Sequence, residues 1–120
     1  MGDFKQLRVW RKAHALVLNV HRAAKGMRGP SFTPVRNQML RAALSIPTNI
    51  VEGYGQASKR DFARFLRYAI NSASELEYHL IVARDLDGID DATFASLTEQ
   101  LVEVRKMLHG LLASIDRKRA

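Results

Sequence analysis

Residues 41–55, RAALSIPTNIVEGYG, constrain the fold of this chain more than any other stretch, because a helix-like apolar pattern carries a proline in its interior. Pro47 donates no backbone N–H, and in a continuing helix it crowds the carbonyl of Ala43, at a cost of roughly 3 kcal/mol. Either the helix ends there or tertiary packing demands a bend. The pattern favours the bend: Met39, Ala43, Ile46 and Ile50 are spaced by four, three and four, so one apolar face continues past the proline. Arg41, Ser45, Asn49 and Glu52 are spaced by four, four and three, within about 80° of arc on another face. Helix-weak residues beside a proline are poor choices for a purely solvated surface. We therefore expect a structural polar network, with Ser45 and Asn49 satisfying backbone groups near the kink and Arg41 and Glu52 paired with side chains of other helices, such as Glu75. Gly53 and Gly55 are expected to stop the helix, since glycine takes the left-handed conformation common at helix C-termini.

The rest of the chain reads as further amphipathic helices. Over residues 6–25, Trp10, Ala13, Val17, Val20 and Ala24 recur at threes and fours, and Arg8, Arg11, Lys12 and Arg22 lie opposite within an arc of about 100°. Residues 26–34, GMRGPSFTP, read as a loop, with two glycines and two prolines, and its Met27 and Phe32 are candidates to tuck under the bundle. Ser58 with Asp61 three residues on is an approximate capping box for a third helix. In that helix Phe62, Ala69, Leu76 and Ala83 repeat at seven, and Ala69, Ser72, Ala73 and Ser74 keep one section narrow enough for close approach. Asp87-Gly88 marks a turn, and Asp90 or Asp91 can cap the last helix, in which Phe94, Leu97, Leu101, Val104, Leu108, Leu111 and Ile115 form an unbroken seam.

Four such segments over approximately residues 5–25, 35–53, 58–86 and 90–116, joined by short loops and free of strand-like alternation, predict an all-α, antiparallel up-down-up-down four-helix bundle. Its second helix is kinked at Pro47, and it forms one domain over residues 1–120. A chain of 120 residues with 47% hydrophobic and 26% charged residues is long enough for a core and reads as globular. No apolar run approaches the ~20 residues that span a bilayer, and the start MGDFKQLRVWRK lacks a signal-peptide pattern, so no membrane association and a cytoplasmic location are expected.

Charge is unevenly placed. Residues 1–60 hold 11 Lys/Arg against Asp3 and Glu52, whereas residues 61–120 hold 8 against 10 acids. The first half can therefore attract phosphate or an acidic partner.

Catalytic patterns are missing. Zero cysteines exclude disulfides, thiolate catalysis and the usual zinc sites. A di-iron bundle needs Glu-x-x-His on two helices; here Glu75 and His79 are four apart and His109 is preceded by Arg105 and Lys106, so no metal or cofactor is expected. Ser45, Ser72 and Ser74 lie in no nucleophile elbow, and Gly53-Tyr54-Gly55 with Ser58-Lys59-Arg60 matches no phosphate-loop spacing. The chain is not expected to be an enzyme.

RAALSIPTNIVEGYG resembles the signature of the four-helix bundle family named for the 23S ribosomal RNA intervening-sequence protein. The segments Leu7-Arg8-Val9-Trp10-Arg11-Lys12-Ala13, Phe62-x-x-Phe65-Leu66-x-x-Ala69 and Ser72-x-x-Glu75-Leu76-Glu77 match it in order, over roughly residues 4–112. Val51 stands where alanine is common in the family, and Tyr54 where a small residue is. The resemblance implies a ring-like homopentamer without established enzyme activity. Some members are encoded within intervening sequences of ribosomal RNA genes, and a related accessory protein of diversity-generating retroelements binds nucleic acid and a reverse transcriptase. The sequence-level expectation is a homo-oligomeric bundle binding RNA or DNA electrostatically through Arg8, Arg11, Lys12 and Arg22, or alternatively a protein-interaction scaffold.

Overall fold

The computed structural model describes residues 2–119; Met1 and Ala120, the ends of the expected domain, lie outside the described residues. Four helices, α1 (Arg8–Lys25), α2 (Thr33–Tyr54), α3 (Lys59–Asp85) and α4 (Asp91–Arg119), form an antiparallel up-down bundle, as the periodicity predicts. Short 3-10 turns at Phe4–Gln6 and Pro30–Phe32 precede α1 and α2, so the first helix begins at Arg8 and not near residue 5. Its N-cap is Leu7, in an extended conformation with no capping side chain.

The core lies along the seams. Leu16 and Val20 of α1, Met39, Ile46 and Ile50 of α2, Leu66, Leu76 and Leu80 of α3, and Leu101, Val104 and Leu108 of α4 are fully buried. Met27 is buried at the α1–α2 connection, and Phe32 packs against the same cluster. Trp10 is half-buried: it packs on the core while its ring stacks on His14 at 5.1 Å and meets Phe4 edge-on. Each helix packs on two neighbours, α1 and α3 both lying between α2 and α4, and the most extensive pairing is α2 with α3.

Local chemistry sets the helix ends. Ser58 Oγ accepts from the Asp61 N–H at 3.1 Å, the N-cap half of the box, and its hydroxyl donates to the Asp61 carboxylate at 3.0 Å. At the other end, Asp87 has a φ of +62° while the Gly88 N–H returns to the Ala83 carbonyl at 2.8 Å, closing the last turn. Asp90, rather than Asp91, caps α4 by accepting from the Thr93 N–H at 2.7 Å.

The glycines at the end of α2 act differently from the sequence expectation. Gly53 is helical and buried, and a Cβ placed there would lie 2.8 Å from Phe65 Cβ and 2.9 Å from Phe62 Cδ1. It is a contact point with α3, not a stop. Gly55 does end the helix, but in a right-handed conformation at φ −78°. Its N–H still reaches the Val51 carbonyl, so the last turn closes without a left-handed residue.

Candidate functional site

The kink and its polar side chains form a short, directed chain of hydrogen bonds. Pro47 is buried inside α2, and the next two residues supply side-chain donors to the turn before it. Thr48 Oγ1 donates to the Leu44 carbonyl at 2.8 Å, and Asn49 Nδ2 donates to the Ser45 carbonyl at 2.8 Å. Asn49 Nδ2 also reaches Ser45 Oγ at 3.0 Å, Ser45 Oγ lies 2.7 Å from Ser72 Oγ on α3, and the Ser72 hydroxyl donates to the Tyr68 carbonyl at 3.1 Å. A hydroxyl has one proton to give, and that of Ser72 goes to Tyr68, so Ser45 is the donor between the two serines. Ser72 is the buried member, at 7% exposure, and among the described residues no buried side-chain polar atom lacks a partner.

Arg41, Glu52 and Glu75 do not join this chain. All three side chains are exposed and form no ion pair or hydrogen bond among the described residues, contrary to the pairing expected from sequence. The helical arc explains the split. Ser45 and Asn49 occupy the edge of the polar stripe that turns toward α3, whereas Arg41 and Glu52 occupy its solvent edge. On α3 the carboxylate that does find a cross-helix partner is Glu77, which accepts from Arg105 Nη1 of α4 at 3.2 Å. The α2–α3 chain is therefore a packing device, and its side chains are already committed to one another.

The basic residues of α1 are on the surface. Arg8, Arg11, Lys12 and Arg22 are all exposed, opposite the buried Val9, Ala13, Leu16, Val17, Val20 and Ala24. Local partners reduce their freedom. Glu103 of α4 lies 3.9 Å from Arg8 and 3.4 Å from Lys12, Arg11 Nη1 donates to the Lys5 and Gln6 carbonyls, and Arg22 donates to Asn19 Oδ1. With side-chain exposures of 69%, 45% and 46% for Arg8, Lys12 and Glu103, these pairs are screened and worth well under about 1 kcal/mol. The cations remain available, but one carboxylate sits among them. Sequence reasoning missed Glu103, because spacing along α1 carries no information about which residue of α4 lies beside it.

Other chemistry is sparse. Among the described residues, no group of three or more His, Asp or Glu could hold a metal ion, and no helix is long and apolar enough to cross a membrane.

The chain's relations agree with this architecture. The model of the 23S rRNA-intervening sequence protein family matches residues 5–110. The chain belongs to that family. Among solved structures, a crystal structure of a protein of unknown function from the S23 ribosomal protein family of Bacteroides thetaiotaomicron is similar at 25% identity and a TM-score of 0.81. The similarity covers 87% of this chain and 97% of that one. No curated protein matches. Family membership thus fixes the S23-type bundle, while its chemistry has to be argued from the surface.

Proposed function

We propose that this S23-family protein is a non-enzymatic, homo-oligomeric helical bundle that binds RNA or DNA electrostatically through the outer face of α1. The observation that carries the reading is the exposure of Arg8, Arg11, Lys12 and Arg22 on one solvent-facing side of that helix. Long cationic side chains on a rigid helix neutralise phosphates without reading sequence. No aromatic platform accompanies them, since Trp10 is turned to the core, so binding here is phosphate-driven and tolerant of sequence. Self-association into a ring of five, which the family resemblance implies, repeats the stripe in every subunit and turns a weak contact per chain into avidity. Leu18 and Leu44, 43% and 53% exposed on α1 and α2, supply apolar surface for subunit contacts. A cytoplasmic location belongs to the same proposal.

A protein-interaction scaffold without nucleic-acid binding is the second reading. It draws support from Glu103, which already shares the charge of Arg8 and Lys12. Retention on RNA and duplex DNA across a salt series separates the two. With about three uncompensated cations per chain, log affinity for duplex should fall with log salt at a slope near −3 per contacting chain. Reversing the charges of Arg8, Arg11, Lys12 and Arg22 should abolish retention on duplex. If the wild type shows none at low salt, the scaffold reading replaces this one. Light scattering tests the assembly separately, and a monomeric mass refutes the ring.

A further inference from the structure

A second exposed face has a composition that a merely solvated helix does not need. On α3, Leu66, Ala69, Ala73, Leu76 and Leu80 are fully buried, which turns the opposite side of the helix to solvent. Arg60, Arg64, Arg67, Asn71 and Tyr78 fall on that side within an arc of about 60°, and Tyr68 lies some 40° further round. From Arg60 to Tyr78 the row runs roughly 27 Å. Tyr68 is 43% exposed and Tyr78 is 62% exposed, the largest exposure among the large hydrophobic and aromatic residues that the structure describes.

The basic end of the row is held in place by its neighbours. Arg64 Cζ stands 4.9 Å from the Phe65 ring centroid and 5.9 Å from that of Tyr68, and the Phe65 and Tyr68 rings meet edge-on at 5.7 Å. Tyr68, mainly through its hydroxyl, raises the Arg64 pKa above its ordinary value; desolvation opposes this and Asp61 adds to it. Arg64 pairs with Asp61 at 3.4 Å and Arg67 with Asp116 at 3.3 Å, both across exposed surface where such pairs are weak and screened by salt. Arg60 has no partner among the described residues, and Ser58, Arg60, Asp61, Arg64 and Arg67 line one shallow concavity. Glu75 is the one carboxylate on the middle of the row.

We propose that this outer face of α3 is a track for single-stranded nucleic acid, with Arg60, Arg64 and Arg67 on the phosphates and Tyr68 and Tyr78 stacking against bases. The inference rests on the nucleic-acid reading above and adds to it a strand preference that the α1 stripe cannot provide. A row of guanidinium groups neutralises a backbone of either kind, but exposed rings have bases to stack on only where those bases are unpaired. Three cations at one end of the row, with exposed rings beside and beyond them, therefore fit a single strand better than a duplex.

The test is fluorescence anisotropy on the full chain, with a labelled 20-nucleotide RNA, a DNA of the same sequence, and its duplex, each across a salt series. Tyr68→Ala and Tyr78→Ala should each weaken single-strand binding about tenfold and leave duplex binding unchanged, while Tyr68→Phe and Tyr78→Phe should bind as the wild type does. Arg60→Ala/Arg64→Ala/Arg67→Ala should make the single-strand salt slope shallower by about 2. Comparison of the RNA and DNA arms assigns the strand type. Tyr78 meets the His79 ring on the open surface, so its variant carries the result if Tyr68→Ala lowers the melting temperature. Unchanged single-strand affinity in the Tyr78→Ala variant overturns the track, as does an equal loss on duplex or a change of mass by light scattering, which would make the face a subunit contact. If the α1 charge reversal abolishes binding while all α3 variants behave as wild type, the track alone fails. If the wild type binds neither strand form at low salt, both readings fail together.

Discussion

Gly53 and Gly55 look alike in sequence but have opposite tolerances. Alanine at 53 would gain helix propensity of about 1 kcal/mol, yet its methyl would meet Phe65 Cβ at 2.8 Å, an atom fixed to the α3 backbone. Overpacking of that kind costs roughly 1–3 kcal/mol, so Gly53→Ala should lower stability by about 1 kcal/mol in urea unfolding. At Gly55 the nearest atoms to an added Cβ are 3.7 Å away and φ is −78°, so Gly55→Ala should be neutral or slightly stabilising in the same assay. Asp90 provides a residue-scale test that depends on pH. Its carboxyl is held below the ordinary aspartate value, first by the Thr93 side chain and then by the Thr93 N–H, with desolvation opposing. A lowered folded-state pKa means that the cap's contribution is complete above the ordinary aspartate range and is lost as pH falls through the folded value. Thermal melts of wild type and Asp90→Ala should therefore differ by a constant interval from pH 7 to about pH 5, with the interval shrinking only as pH falls below the ordinary aspartate value of about 3.9.

At the scale of elements, the α2–α3 pair is joined by packing around Gly53 and by the directed chain from Asn49 through Ser45 and Ser72 to the Tyr68 carbonyl. Removing its buried link should cost more than removing a member of the stripe that faces water. Ser72→Ala leaves Ser45 without its acceptor inside the interface and should destabilise by about 1–2 kcal/mol, whereas Glu52→Ala should stay within about 0.5 kcal/mol. Chemical denaturation of the two variants side by side checks the difference. The reason for it was only half legible in the sequence. Spacing puts Arg41, Ser45, Asn49 and Glu52 on one face, and a stripe 80° wide is broad enough that one edge faces a neighbouring helix while the other faces water. Which edge does which depends on where α3 lies, and a single helix's periodicity does not say. The α4 seam was legible in full, because seven apolar residues at alternating threes and fours leave one way to bury a face. The role of Gly53 was not, since a close approach is a property of two helices and only one of them carries the glycine.

Over the whole molecule, basic residues gather on two separate surfaces, the outer face of α1 and the start of α3. The α1 stripe shares its charge with Glu103, and the arginines at the start of α3 straddle the boundary between the basic and acidic halves, which is why summing charge by halves drew attention to the first helix alone. Arg60, Arg64 and Arg67 were nonetheless visible in the sequence at spacings of four and three. What the sequence could not supply was the solvent exposure of Tyr68 and Tyr78 beside them. If both surfaces bind, the α1 reversal and the α3 alanine variants should reduce affinity by independent factors, because different helices present the two faces.

The bundle measures 48 × 20 × 19 Å, and its radius of gyration of 15.0 Å exceeds the roughly 13.6 Å expected for a compact chain of this length. A body more than twice as long as it is wide tumbles faster about its long axis than end over end. A fluorophore held rigidly on α3 with its transition dipole tilted away from the long axis would therefore depolarise on two distinct timescales in the free subunit. Subunits packed side by side into a ring would approach equal dimensions, and the two decays would merge into one slower decay.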